Sequence, residues 1–141
     1  MTVKRTPGLL IAIVLLLAAP AAYANPQATD AGVEAATAWL GLVDGLEYDK
    51  SWDEAAGYFK NAVPKEQWEQ SMTAVREPLG DLVSRQLESA GYETALPGAP
   101  DGEYVVMQFA TSFSAKAEAV ETVTVMRETD GTWRMAGYFI K

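Results

Sequence analysis

The spacing of apolar residues changes once along this chain, at Gly80, and that change restricts the fold to one class. Before it, apolar side chains recur every three or four residues: Val33, Ala36, Leu40 and Val43 form a stripe that Trp39 and Leu42 widen. This period places side chains on one face of a helix. After it, Val105, Met107, Phe109, Thr111 and Phe113 alternate with Tyr104, Val106, Gln108, Ala110 and Ser112. That is the period of a strand with one buried face. Helices first and strands last cannot interleave into parallel βαβ units, so the pattern predicts an α+β fold with three N-terminal helices packed on a curved, antiparallel, four-stranded sheet.

The boundaries follow from local chemistry. The first helix should open after the polar lead-in Asn25 to Thr29, capped by Thr29 or Asp30, and close at Gly45 in a left-handed stop. A second is announced by Ser51-Trp52-Asp53-Glu54, a capping box, with Trp52, Ala55, Ala56 and Phe59 as its apolar face. A third starts at Pro64, repeats Trp68, Met72, Val75 and Leu79, and ends at Pro78. Trp39, Trp52 and Trp68 lie on these faces and are read as core, and Trp133 as partly exposed. The strands are Gly80 to Tyr92, Tyr104 to Phe113, Val120 to Met126 and Thr132 to Ile140, with turn compositions at 96–102 and at Thr129-Asp130-Gly131.

The last turn fixes a register. Glu128 to Thr132 reads as a three-residue hairpin loop with Gly131 left-handed in a G1 bulge. Glu128 then lies opposite Thr132, Arg127 opposite Trp133, Val125 opposite Met135, Val123 opposite Gly137 and Glu121 opposite Phe139. One face collects Val123, Val125, Met135 and Phe139, with Arg127 placed for a cation-π contact with Trp133. A two-residue turn would instead oppose Arg127 to Arg134.

Residues 1–24 read differently. Lys4 and Arg5 precede an apolar run from Gly8 to Ala19, then Pro20 and the small-x-small triplet Ala22-Tyr23-Ala24. This is the order of a signal peptide cleaved between Ala24 and Asn25, leaving a single domain over 25–141. The run is too short for a membrane span of ~20 apolar residues, so no stable membrane insertion is expected after cleavage. The chain lacks cysteine, hence a lipid-attachment residue, and the leader has a bacterial character, so the expected location is periplasmic or secreted. With 11 Lys and Arg against 19 Asp and Glu, the net charge is −8. An acidic surface disfavours nucleic acid as a partner.

A set of anchors runs through the domain in order: Trp39-Leu40-x-Leu42-Val43-Asp44, Tyr48-x-x-Ser51-Trp52, Trp68, Arg76-x-Pro78-Leu79-Gly80, Ser84-Arg85, Pro100-Asp101-Gly102-x-Tyr104-Val105-Val106, Glu121-Thr122-Val123-Thr124 and Asp130-Gly131-x-Trp133-Arg134-x-x-Gly137-Tyr138. In these the chain resembles the bacterial DUF4019 family of small exported proteins. The resemblance implies no activity, since that family is one of unknown function. The helix and strand order is also similar to the cystatin-like and nuclear-transport-factor-2-like arrangement, whose members include enzymes, carriers and assembly modules.

The reactive inventory is short. Without His or Cys, Ser-His-Asp triads, Cys-His pairs and zinc fingers are ruled out. No phosphate loop or dinucleotide fingerprint occurs, and neither a cofactor nor a metal is expected. Asp49-x-Ser51-x-Asp53 starts like a calcium loop, but Glu54 stands where the turn needs Gly. Arg85 and Glu121, if both point inward, would pair to offset desolvation. Their plain reading is a structural ion pair; the functional one is a ligand site completed by Tyr104 and Tyr138. No catalytic residue is nominated. The sequence therefore points to an exported, non-enzymatic binding or accessory module for a small ligand or a periplasmic protein. The alternatives are a small lyase or isomerase using an acid and a Tyr, and an oligomeric structural module such as a homodimer.

Overall fold

The computed structural model describes residues 24–141. Its elements are α1 (Pro26–Asp44), α2 (Tyr48–Asp53), α3 (Gly57–Ala62), α4 (Lys65–Arg76), a 3-10 turn (Glu77–Leu79), and β1 (Leu82–Glu93), β2 (Tyr104–Phe113), β3 (Lys116–Arg127) and β4 (Trp133–Ile140). The strands form one antiparallel sheet in the order β1-β2-β3-β4. This is the expected α+β arrangement, with four helices where three were read. The leader, except for Ala24, lies outside the described residues, and its cleavage before Asn25 stays an expectation. Among the described residues no helix is long and apolar enough to cross a membrane.

The helices depart from the sequence reading at their ends. Helix α1 begins earlier than expected because Asn25 caps it: its Oδ1 accepts from the Ala28 amide at 3.1 Å. Pro26 follows at the first position, where a missing N–H costs nothing. Gly45 is not the left-handed stop, with φ −80; Leu46 takes that conformation at φ 61. The expected second helix is two helices, and Ser51 is no cap but a buried residue inside α2. The chain breaks at Glu54–Ala56 because the sheet supplies partners there. The Ala56 amide donates to the Met135 carbonyl at 2.8 Å and the Gly57 amide to Glu128 Oε1 at 2.9 Å.

Helix α1 crosses the inner face of the sheet, packing Ala36, Trp39, Leu40 and Val43 against Val105, Met107, Val123, Val125 and Met135. The approach is close: a Cβ on Gly32 would sit 2.7 Å from Val105, so only glycine fits. Helices α2 to α4 close the core with Ala55, Phe59, Trp68 and Met72. Ser51 ties them together, its Oγ donating to the Tyr48 carbonyl at 2.7 Å and accepting from Trp68 Nε1 at 2.9 Å, while its carbonyl accepts from Trp39 Nε1 at 2.9 Å.

The β3–β4 loop is the three-residue one, with Gly131 at φ 87 and the Glu128 amide donating to the Thr132 carbonyl at 2.7 Å. Arg127 pairs with Trp133 and Val125 with Met135, as read. Beyond them the expected register fails. A bulge leaves Ala136 unpaired, so Thr124 meets Gly137, Val123 meets Tyr138 and Glu121 meets Ile140. One inserted residue inverts the facing of everything after it. Phe139 is therefore turned out, 57% exposed, and Tyr138 is turned in. Arg127 takes Glu103 as its partner, at 3.1 Å, in place of the expected contact with Trp133.

Candidate functional site

The inner face carries a charged cluster at the end of α1. Glu121, on β3 between Ala119 and Val123, is fully buried. Arg85 on β1 donates from Nε to Glu121 Oε1 at 2.7 Å, and from its two terminal nitrogens to Asp44 at 2.7 and 2.9 Å. Thr111 Oγ1 donates to Glu121 Oε1 at 2.6 Å and the Tyr138 hydroxyl to Oε2. Arg76, at the end of α4, adds a third link through Nη2 to Asp44 Oδ1 at 3.0 Å, with its guanidinium 4.8 Å above the Phe113 ring. Its Nε and Nη1 are buried without a hydrogen-bond partner, and the Phe113 ring is the contact that compensates.

Two guanidinium groups thus face two carboxylates, and the cluster is balanced in charge. Burial works against ionisation of Asp44, but hydrogen bonds and charge from Arg85, then Arg76, outweigh it and hold its carboxyl below the ordinary 3.8. Burial would likewise strip a proton from Arg85, and hydrogen bonds from Asp44 and Glu121 reverse that effect and raise its pKa. Burial, followed by the charge and hydrogen bond of Glu121, pushes the Tyr138 hydroxyl well up. Asp44 and Arg85 are thereby held in their charged forms and the Tyr138 hydroxyl in its neutral one. Such a cluster clamps α1, α4, β1, β3 and β4 together.

The structure brings together three of the four ligand-site residues read from sequence: Arg85, Glu121 and Tyr138. Tyr104 is elsewhere, buried on the other face of β2 beneath the 96–102 turn, its hydroxyl donating to the Pro100 carbonyl. Sequence reading missed Asp44, Arg76 and Thr111. The signal was present, since Asp44 continues the stripe Leu40, and Arg76 the stripe Trp68, Met72, each four residues on. A charge at a core position of a helix asks for a buried partner. Val75, read as core, is 46% exposed in its place.

Glu121 and Tyr138 satisfy the contact that a proton-transfer pair would need. Both are already committed, however, and neither lines the cavities found around the domain. A small cavity of about 270 Å³ beside Asp44 and Arg76 is bounded by Leu46, Gly80, Asp81 and Leu82.

The roomier space lies on the opposite face of the sheet. A groove of about 710 Å³ runs over Ser84 and Gln86 of β1, Ala110 and Ser112 of β2, and Glu118 and Val120 of β3, with Lys141 at its end. Among the described residues no helix covers this face. Pairing places Gln86 beside Ala110 and Ala110 beside Val120, so a row of small side chains forms its floor. Arg85 and Thr111 also line the groove, while their side chains bond Glu121 in the clamp behind it.

A family model described as a protein of unknown function (DUF4019) matches residues 35–138, which include α2 to α4 and the clamp. No curated protein matches the chain.

Proposed function

We propose that this chain, which belongs to the DUF4019 family of proteins of unknown function, is an exported, non-catalytic binding module whose working surface is the helix-free face of its sheet. The observation that carries the proposal is the contrast in space. The helix-bearing side is filled by core and clamp apart from cavities of about 270 to 440 Å³ at its margins, whereas the outer face offers a groove of about 710 Å³, within the ~300–1,000 Å³ range of small-ligand sites. The groove floor belongs to three adjacent strands whose spacing the clamp fixes from behind, a rigid platform of the kind that lowers the ordering cost of binding. The leader-like residues 1–24 support export, since they carry the n-region, h-region and cleavage triplet in order.

A thermal-shift screen of the protein without its leader, run in parallel on Ala110→Trp, tests the reading. Ala110 is half-buried on the groove floor, and an indole there fills the groove without touching the core. A ligand at a hundred times its dissociation constant should stabilise the native chain by ~2.7 kcal/mol and leave Ala110→Trp unmoved. Stabilisation of both to the same extent would place the site elsewhere and contradict the proposal.

A further inference from the structure

The ligand class follows from what the outer face carries. The helix-free face has rows running across all four strands, and the central one is Phe139, Thr122, Gln108 and Ser89, in register from β4 to β1. Beside it lies Gly137, Thr124, Val106 and Gly91, and on the other side Val120, Ala110 and Gln86 at the groove floor. No charge occurs in these three rows, although the chain has 19 acids and 11 bases. The charged side chains stand outside these rows: Glu118 and Lys141 line the far side of the groove, Glu88 sits at the β1 bulge between Gln86 and Ser89, Glu93 is at the opposite end, and Arg134 turns to Glu54.

What remains is one exposed aromatic ring among hydroxyls and amides. Phe139 is 57% exposed, and its neighbour Gly137 has no side chain to crowd the ring. Thr122, Gln108, Ser89 and Gln86 can each donate and accept hydrogen bonds without bearing charge. A neutral glycan has the complementary chemistry. Its C–H faces stack on an aromatic ring, its hydroxyls exchange hydrogen bonds with amides and alcohols, and it brings no charge to be desolvated. A second copy of this chain fits less well. The core of a stable dimer interface is about two-thirds apolar, and the large exposed apolar side chains of these three rows are only Phe139 and Val120.

We propose that the outer face, from Phe139 across to the groove at Gln86, binds an extended neutral oligosaccharide. The inference rests on the working surface proposed above. Isothermal titration of the leaderless protein with maltohexaose, cellohexaose, xylohexaose and chitohexaose tests it, with an oligogalacturonate as the charged control. Binding of at least one neutral hexasaccharide is expected, weakened about tenfold (~1.4 kcal/mol) by Phe139→Ala and retained in Phe139→Trp, with no binding of the oligogalacturonate. Phe139 is exposed enough for either variant to fold. The inference is overturned if none of the four binds, if Phe139→Ala leaves binding unchanged, or if light scattering shows a dimer that Phe139→Ala dissociates. A silent neutral panel alongside a screening ligand that Ala110→Trp abolishes would overturn the glycan and leave the working surface standing.

Discussion

The two faces of the sheet are built from the same strands and differ in what they do with polar groups. The inner face spends them on one another: Asp44, Arg76, Arg85, Glu121, Thr111 and Tyr138 are joined in one cluster, each buried or half-buried. The outer face leaves Ser, Thr and Gln side chains free, under no helix among the described residues. The residue types that look most like an active site, a buried acid against a tyrosine and an arginine, are thus the ones engaged with one another. The plain alcohols and amides are the ones free to meet a ligand. In a chain without His or Cys, strong chemistry and availability part company.

The largest expected effect comes from breaking the clamp on one side only. Arg85→Met leaves Glu121 and part of Asp44 with uncompensated buried charge, and should cost ~3–5 kcal/mol in urea unfolding. Adding Glu121→Leu and Tyr138→Phe removes the orphaned charge and hydroxyl, and should recover most of that loss. If the single and combined variants were equally unstable, the cluster would be contributing more than balanced charge.

Ser51→Ala should cost less, ~1–3 kcal/mol, because it strands the buried Trp68 Nε1 while the backbone bond from Trp39 survives. A shift in Trp fluorescence toward a looser environment should accompany it.

The third effect is on pH dependence. The folded Asp44 carboxyl lies below its ordinary value, so its contribution to stability is complete above about pH 4 and is lost as pH falls through the lower folded value. Acid unfolding curves of Asp44→Asn should accordingly be flatter below pH 4 than those of the native chain, although the variant starts from lower stability. Equal slopes would show that Asp44 gains nothing from its arginines.

Smallest of all should be Phe139→Ala on the outer face, within ~0.5 kcal/mol of the native stability. A larger loss would mean that this ring is covered in solution, which would erase the difference between the faces.

Much of this was legible in the sequence, for reasons that can be assigned to residues. The change of period at Gly80 gave the α+β class, and Asp130-Gly131 gave the loop and the first rungs of the β3–β4 ladder. The Arg85–Glu121 pair, expected if both side chains point inward, is formed. What could not be read were the places where one segment answers another across the fold. Helix α3 is separated from α2 because Met135 and Glu128, more than seventy residues on, accept its first amides. The Ala136 bulge is equally silent, and it alone sends Phe139 outward and Tyr138 to Glu121. Arg85, Glu121 and Tyr138, read either as a structural pair or as ligand residues, lie on the helix side, and the bulge gives the opposite face its exposed ring, Phe139.

The most direct measurement sets an inner variant against an outer one. The combined Arg85→Met, Glu121→Leu and Tyr138→Phe chain and the Ala110→Trp chain can be titrated side by side with maltohexaose, cellohexaose, xylohexaose and chitohexaose. The account predicts that the inner variant binds within about twofold of the native chain and that Ala110→Trp binds at least tenfold more weakly, a difference of ~1.4 kcal/mol. Binding lost in the inner variant, while it stays folded, and kept in Ala110→Trp would place the working site in the clamp and contradict it.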